Sequence, residues 1–123
     1  MAAFLEERLA FATSHGVREE LICIDPGFGF GKTVEHNLAL ARRLDVLLGL
    51  GRPVMVGFSR KRSLGRLLGD PDATTGTTAA SLGAALATFE RGASIFRVHD
   101  VREHVEALTI AAAVERGAAA EGI

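Results

Sequence analysis

The 123-residue chain contains no tryptophan and no tyrosine, and it has a single cysteine. Without those aromatic rings, a platform on which nucleic-acid bases stack is not expected. The one cysteine, Cys23, cannot form an internal disulfide, which favours a reducing compartment. The formal net charge of -1 predicts neither nucleic-acid binding nor attachment to an anionic membrane.

Long apolar runs are also missing from this sequence. No stretch is apolar over enough residues to span a bilayer, and no signal-peptide pattern opens the chain. We therefore expect a cytoplasmic protein. With 48% hydrophobic and 24% charged residues, the composition is ordinary for a globular domain, and the length permits one modest core.

The most informative stretch is residues 24–32, which read IDPGFGFGK. The apolar run 21–24 predicts a buried strand that includes Cys23. Asp25 would then lie at the carboxyl end of this strand, where α/β folds bind ligands. The glycines would let the backbone approach such a ligand closely. An alternative is a simple strand-to-helix turn in which Asp25 accepts hydrogen bonds from nearby amides.

Four segments have the periodicity or composition of helices. One of them, 76–89, consists almost wholly of small residues, which predicts burial on more than one side. Three apolar runs predict strands. Alternation of helices and strands predicts an α/β fold with a parallel sheet and helical crossovers. The predicted helices are 2–15, 35–48, 76–89 and 101–116, and the predicted strands are 21–24, 53–58 and 94–98.

Two of the predicted helices begin with capping signals. Thr33 is placed to cap the helix that follows the glycine-rich loop. Asp100 followed by Glu103 resembles a capping pair for the last helix. Beyond that helix, residues 117–123 are rich in glycine and alanine and are predicted to fray.

Polar side chains end all three predicted strands, on one face of each. Because strand side chains alternate, Ser59 and Lys61 share a face, as do Arg97 and His99, and Asp25 lies on the corresponding face of the first strand. Agreement among three strands predicts a common site, with three separate solvated strand ends as the alternative. One carboxylate beside a cationic cluster suits a polar heterocycle joined to a phosphate or pyrophosphate.

Two of these side chains also have structural interpretations. Arg97 is as well placed for an ion pair with Asp100 or Glu103 as for a ligand. His99 could serve only for hydrogen bonding at the start of the last helix.

Three motifs carry a family resemblance: DPGFGFGK at 25–32, GFSRK at 57–61 and RVHD at 97–100. In this order and spacing they closely resemble the C-terminal half of the dihydropteroate synthase family. The resemblance implies an α/β fold made of the last three strand–helix units of a (β/α)8 TIM barrel. Residues 1–123 would then be the C-terminal portion of a pterin-binding domain.

The resemblance implies an enzyme, a transferase of folate biosynthesis. Members condense 6-hydroxymethyl-7,8-dihydropterin pyrophosphate with p-aminobenzoate, giving 7,8-dihydropteroate and pyrophosphate. The implied mechanism is dissociative, since pyrophosphate leaves before the arylamine attacks.

The resemblance also implies roles for single residues. Asp25 would accept hydrogen bonds from the pterin, and Phe30 and Gly57 would line the pterin pocket. Lys61 would contact the pterin next to the p-aminobenzoate site. The remaining implied residues are Ser59, near p-aminobenzoate, and Arg97 and His99, which bind pyrophosphate and form the catalytic set with Lys61.

The sequence is shorter than a complete barrel of this type, which needs about 250 residues. The family's Mg2+-binding asparagine has no counterpart here, so Mg2+ is an implied cofactor with its ligand outside this sequence, and the chain alone is expected to be inactive. Sulfonamide inhibition and a homodimer through the late helices are also implied. The alternatives are a related pterin-binding methyltransferase domain, which binds no pyrophosphate, and a non-catalytic association module.

Overall fold

The computed structural model describes residues 1–28 and 33–117. Phe30 and the predicted frayed tail after residue 117 lie outside the described residues. In chain order the elements are α1 (Ala2–Ser14), a 3-10 turn (Glu19–Leu21), α2 (Val34–Arg42), α3 (Leu44–Leu48), β1 (Met55–Val56), α4 (Arg62–Leu67), α5 (Thr78–Glu90), β2 (Ile95–Phe96) and α6 (Val101–Arg116).

The sheet is short and parallel. β1 pairs with β2, with Met55 opposite Ile95. On the other side of β1, a parallel bridge joins Ile24 to Val54, and the Ile24 N–H donates to the Pro53 carbonyl at 2.8 Å. The three predicted strands therefore lie side by side in chain order. The α/β fold with a parallel sheet is confirmed.

The first predicted strand is wrong over most of its length. Leu21 belongs to the 3-10 turn and is 66% exposed, and Cys23 is exposed rather than buried. In the run 21–24 only Ile24 is deeply buried, at 4% exposure. The outer edge of this segment pairs with no strand among the described residues. The segment is joined to its neighbour by two backbone hydrogen bonds, both made by Ile24, so its strand pairing is limited to the single bridge.

The core lies on one side of the sheet. Alternation correctly assigned Ile24, Val54 and Val56 to this side, and all three are buried. The Phe28 and Phe58 rings pack there with their centroids 4.4 Å apart. Burial of each large apolar side chain contributes about 1.5–3 kcal/mol. Leu44, Leu47, Leu64 and Ala93 complete this buried cluster.

The predicted second helix is divided in two. It starts at its predicted cap, where the Thr33 hydroxyl oxygen accepts a hydrogen bond from the His36 N–H at 3.1 Å. Arg43 then leaves the helical conformation, with φ -116° and ψ 41°, and α3 follows. The division allows Leu44 and Leu47 to enter the core, both almost completely buried.

The later helices are closer to prediction. α6 runs over the predicted residues. α5 starts two residues later than predicted, at Thr78, since Thr77 caps it through the Ala80 N–H. α5 is covered on more than one side, as predicted, because it packs against both α4 and α6. One stripe of the helix, formed by Ala79, Gly83 and Ala87, is exposed. No helix in the described ranges is long and apolar enough to cross a membrane.

Candidate functional site

A cavity of about 380 Å³ opens at the carboxyl ends of β1 and β2. Parallel strands bring their carboxyl ends to one edge of a sheet, so residues distant in sequence meet here. The cavity is lined by Gly57, Ser59, Arg60, Lys61, Arg97, Val98 and His99.

The pairing of β1 with β2 explains which of these side chains meet. Met55 lies opposite Ile95, an offset of 40 residues. The same offset of 40 links Ser59 to His99 across the strand ends. The register set in the sheet is thus continued by side chains beyond it.

Ser59 holds His99 by two contacts. The Ser59 hydroxyl oxygen accepts a hydrogen bond from the His99 backbone N–H at 3.0 Å and lies 2.9 Å from the ring Nδ1. A hydroxyl that donates to Nδ1 leaves Nε2–H as the donor of the neutral ring. The ring of His99 is therefore fixed by Ser59, which is 5% exposed, and not by the helix start.

The guanidinium of Arg97 lies against Gly57. A Cβ at position 57 would stand 3.2 Å from Nη2 and 3.5 Å from Nε of Arg97. The Arg97 backbone is anchored in the sheet, since its N–H donates to the Val56 carbonyl at 2.9 Å. Within the described part of the chain, Arg97 makes no ion pair with Asp100 or Glu103, the structural alternative considered above.

Asp25 lies near the cavity but is not one of its lining residues. One of its oxygens accepts a hydrogen bond from the Gly27 N–H at 2.8 Å, which is the local turn bond proposed as an alternative. Its charge nevertheless acts on the site. Burial lowers the pKa of Lys61, nearby Arg97 lowers it further, and Asp25 opposes both. Three strand ends therefore contribute charge to one place.

The predicted capping pair of Asp100 and Glu103 is wrong. The Asp100 carboxylate makes no capping hydrogen bond to α6. It instead accepts hydrogen bonds from Arg60, with Nη2 at 2.6 Å and Nε at 3.3 Å, and from the Thr78 hydroxyl at 3.2 Å. A bidentate, charge-assisted contact is stronger than a bond to a helix amide, which explains the choice. Arg60 lowers the pKa of Asp100 through the hydrogen bond it donates.

Sequence reasoning passed over Arg60 and Ser63. Arg60 pairs with Asp100 at the same offset of 40 residues that the strand register sets. If the register had been known, it would have indicated this ion pair. The hydroxyl of Ser63 is buried and makes no hydrogen bond among the described residues. It lines a second cavity, of about 60 Å³, together with Thr33, Val34, Asn37, Lys61, Arg62 and Arg66.

The described residues do not form a metal site by themselves. No three His, Cys, Asp or Glu side chains within residues 1–28 and 33–117 are placed to hold a metal ion.

Comparison with known proteins agrees with the geometry. The sequence profile described as pterin binding enzyme matches residues 1–99. The dihydropteroate synthase of Neisseria meningitidis serogroup C is 43% identical over 109 residues, covering 88% of this chain and 38% of the relative. The enzyme of the same name from Escherichia coli strain K12 is 41% identical over 106 residues, covering 85% and 36%.

Solved structures agree in the same way. Dihydropteroate synthase from Xanthomonas albilineans in complex with 7,8-dihydropteroate superposes with a TM-score of 0.86 at 44% identity, covering 93% of this chain and 44% of that one. For the Thermus thermophilus protein in complex with 6HMPPP, the TM-score is 0.81 at 48% identity, covering 93% and 44%. The chain spans less than half the length of these relatives. Because the profile matches most of its residues, the chain belongs to the family of pterin binding enzymes.

Proposed function

We propose that the chain is the C-terminal portion of a dihydropteroate synthase. In the complete enzyme it would supply the last three strand–helix units of a (β/α)8 barrel. The observation that carries the proposal is the meeting of Lys61, Arg97 and the Ser59-bound His99 in one cavity at the strand ends. This is the edge at which TIM-barrel enzymes place their active sites.

The reaction proposed for the complete enzyme has one bond broken and one formed. The C–O bond between the pterin methylene and the pyrophosphate breaks, and the leaving group takes the electron pair. The amine nitrogen of p-aminobenzoate then bonds to the methylene carbon and loses a proton. The products are 7,8-dihydropteroate and pyrophosphate.

The part of the reaction that these residues would serve is the departure of pyrophosphate. Arg97 offers a planar fork of donors to phosphate oxygens, and the His99 ring, which Ser59 holds at Nδ1, would donate through Nε2 when that atom carries the proton. Lys61 adds a charge from the neighbouring strand end. Fixed positive groups stabilise the negative charge that grows as the C–O bond breaks. Arg97, His99 and Lys61 are therefore the proposed catalytic residues.

The pterin would lie between Asp25 and Gly57. Asp25 keeps acceptor capacity beyond its bond to Gly27, and a carboxylate pairs well with the two adjacent N–H donors of an aminopyrimidine edge. Gly57 leaves the space that the Arg97 guanidinium occupies. A flat cation beside a flat ring is a favourable arrangement. The proposed contact from Phe30 lies outside the described residues.

The second cavity suits the carboxylate of p-aminobenzoate. It adjoins Lys61, and two further arginines, Arg62 and Arg66, line it. The Ser63 hydroxyl, which has no hydrogen-bond partner among the described residues, is a donor that a carboxylate could use. At about 60 Å³ the cavity holds a carboxylate but not the ring, which would extend towards Ser59. Sulfonamides that compete for this substrate would bind in the same place.

The same proposal includes a homodimer through α5 and α6. A groove of about 560 Å³ lies between these helices, and Leu82, Leu86 and Ile110 line it. Val105 and Val114 are exposed on the same helix as Ile110. Apolar surface of this kind is typical of an interface.

The proposal also includes Mg2+ as a cofactor, whose protein ligand would lie in the part of the enzyme that this chain does not contain. The proposed location of the enzyme is the cytoplasm.

A pterin-binding methyltransferase domain is the alternative within the family. It handles no pyrophosphate, so the pairing of Arg97 with His99 at the strand ends would have no purpose there. A non-catalytic association module would likewise leave the cationic cavity unexplained.

Trans-complementation tests the proposal. The chain would be co-expressed with the first five strand–helix units of the E. coli relative, and formation of 7,8-dihydropteroate would be followed. We expect activity only when both parts are present, and loss of activity in Lys61→Ala or Arg97→Ala. Arg43→Gln, which breaks an exposed ion pair away from the site, is the matched control. An assembled complex with full structure and no activity would contradict the proposal.

A further inference from the structure

Arg60 has an unusual backbone conformation at the edge of the candidate site. Among the described residues it is the one non-glycine residue with positive φ, at 54°. This conformation costs free energy for a residue with a Cβ, so the surroundings must hold it in place. It lies between Ser59 and Lys61, two residues that line the cavity.

Backbone hydrogen bonds hold Arg60 from two directions. Its N–H donates to the Ser81 hydroxyl at 2.8 Å, which ties it to α5. Its carbonyl accepts from the Gly76 N–H at 3.1 Å and from the Thr75 hydroxyl at 3.2 Å. The loop that precedes α5 therefore fixes the backbone between Ser59 and Lys61.

The side chain of Arg60 reaches the other strand end. Its Nε and Nη2 donate to the Asp100 carboxylate, which also accepts a hydrogen bond from the Thr78 hydroxyl. The Asp100 side chain is only 14% exposed, whereas that of Arg60 is 48% exposed. Asp100 follows His99 directly, as Arg60 follows Ser59. The ion pair thus spans the two strand ends next to the Ser59–His99 contact.

Beyond the ends of β1 and β2, side-chain contacts continue to join the two segments. The Arg97 N–H donates to the Val56 carbonyl, and beyond this hydrogen bond Ser59 contacts His99 and Arg60 contacts Asp100. The ion pair is therefore a second side-chain link, beside that of Ser59, between the segment that carries Lys61 and the end of β2.

We propose that Arg60 and Asp100 are positioning residues, an ion pair that holds Lys61 beside Arg97 and Ser59 against His99. Their role rests on the proposed function, since the groups they position are the proposed pyrophosphate ligands. Arg60 serves by binding Asp100 and not by binding the anion itself.

Asp100→Asn separates these two roles of Arg60. It keeps the shape of the side chain and leaves the Arg60 charge next to the cavity. If Arg60 bound the anion directly, loss of its carboxylate partner would leave pyrophosphate affinity unchanged or tighter. If the pair positions Lys61, affinity falls by about threefold or more, as expected for residues coupled in one network.

A second readout does not depend on any ligand. The sequence has two lysines, Lys32 and Lys61, so the Lys61 side chain can be titrated by NMR. Burial and Arg97 hold its pKa below the ordinary value. In Asp100→Asn we expect this pKa to rise towards the ordinary value as Lys61 moves away from Arg97. Direct removal of a nearby negative charge would lower the pKa instead, so the sign of the change is diagnostic.

The control is Asp45→Asn, which removes the carboxylate of another arginine–aspartate pair. In this pair Nε and Nη2 of Arg43 donate to the Asp45 carboxylate at 3.0 and 3.2 Å, the same two nitrogens that Arg60 uses. Asp45→Asn should change neither the Lys61 titration nor the pyrophosphate affinity of the 123-residue chain.

If Asp100→Asn fails to fold, Arg60→Gly replaces it, because glycine accepts positive φ while the ion pair is lost. This variant also removes a cation, which by itself would weaken anion binding and raise the Lys61 pKa. It is therefore judged by the NMR contacts of Lys61 with Arg97 and of Ser59 with His99, which positioning predicts to weaken and which overturn it if unchanged.

The outcomes are distinguishable. A folded variant with unchanged Lys61 titration and unchanged or tighter pyrophosphate binding overturns the positioning role. A wild-type chain that binds no pyrophosphate contradicts the proposed function, and the Lys61 titration then still decides whether the pair positions Lys61.

Discussion

Substitution of Gly57 by alanine tests the close approach of Arg97. The new Cβ would stand 3.2 Å from Nη2 and 3.7 Å from Cζ of Arg97, so the guanidinium must move by a few tenths of an ångström. Because the guanidinium is the far end of a flexible side chain, we expect little strain. The φ of Gly57 is not positive, so alanine also gains about 0.4–1 kcal/mol through the unfolded state. Stability should therefore stay within about 1 kcal/mol of the wild type.

Anion binding should respond more strongly than stability. A hydrogen bond to a charged group contributes about 1.5–3 kcal/mol, so complete loss of one Arg97–phosphate bond would weaken pyrophosphate binding by about tenfold to 150-fold. A shift of a few tenths of an ångström lengthens such a bond without removing it. We therefore expect Gly57→Ala to weaken pyrophosphate binding by about threefold to tenfold. Gly57→Val should give a larger loss.

Pyrophosphate titration followed by NMR measures the effect, and thermal unfolding checks the fold. Gly83→Ala is the matched control, because a Cβ there meets nothing within 4 Å. It should stabilise the chain by about 0.5–1 kcal/mol, as expected within a helix, and leave binding unchanged. Unchanged pyrophosphate affinity in Gly57→Ala, with intact structure, would refute the assignment of Arg97 to the anion.

Further predictions concern acid stability, alkaline stability, pterin binding and assembly. The pKa of Asp100 in the folded chain lies below its ordinary value of 3.8, so between these two values the unfolded chain binds more protons than the folded chain. The stabilisation that results is complete above pH 3.8 and is lost as the pH falls further. Asp100→Asn should therefore reduce the loss of stability in acid, measured by urea unfolding at several pH values. The pKa of Lys61 in the folded chain lies below 10.5, so the unfolded chain binds more protons between these values and the free energy of unfolding should rise as pH increases towards 10.5. Lys61→Met should remove this dependence of stability on pH. Asp25→Asn should weaken pterin binding in a complemented barrel by about 1.5–3 kcal/mol, and calorimetry showing equal affinity would count against it. Ile110→Lys should reduce self-association in ultracentrifugation, whereas a wild-type monomer at all concentrations would contradict the dimer.

Strand alternation predicted from sequence that Ser59 and Lys61 share a face, as do Arg97 and His99, and all four line one cavity. Alternation is not what brings them together, because β1 and β2 end at Val56 and Phe96, and Arg60 and Val98, which have the opposite parity, line the same cavity. Their roles in binding stay predictions. The extent of the strands was not predictable. The run that ends at Ile24 has a strand-like sequence, yet it forms one bridge, because Leu21 lies in a 3-10 turn and only Ile24 pairs with the neighbouring segment.

The conformation of Arg60 and the partner of Asp100 required tertiary information. Positive φ at Arg60 depends on Ser81 and Gly76, which are distant in sequence. Asp100 followed by Glu103 has the spacing of a capping pair, and only the strand register shows that a guanidinium competes for its carboxylate. Local sequence patterns therefore predicted which side chains meet at the strand ends. The contacts of Arg60 with Ser81 and Asp100 could be found only from the tertiary structure.

The most direct test of the account is a pyrophosphate titration of the 123-residue chain, followed residue by residue by NMR. The shifts should centre on Arg97, His99 and Lys61, weaken at high salt because the site is open, and disappear in Arg97→Ala. If pyrophosphate instead perturbs only remote surface arginines such as Arg18 or Arg102, the central claim that these strand ends form an anion site is wrong.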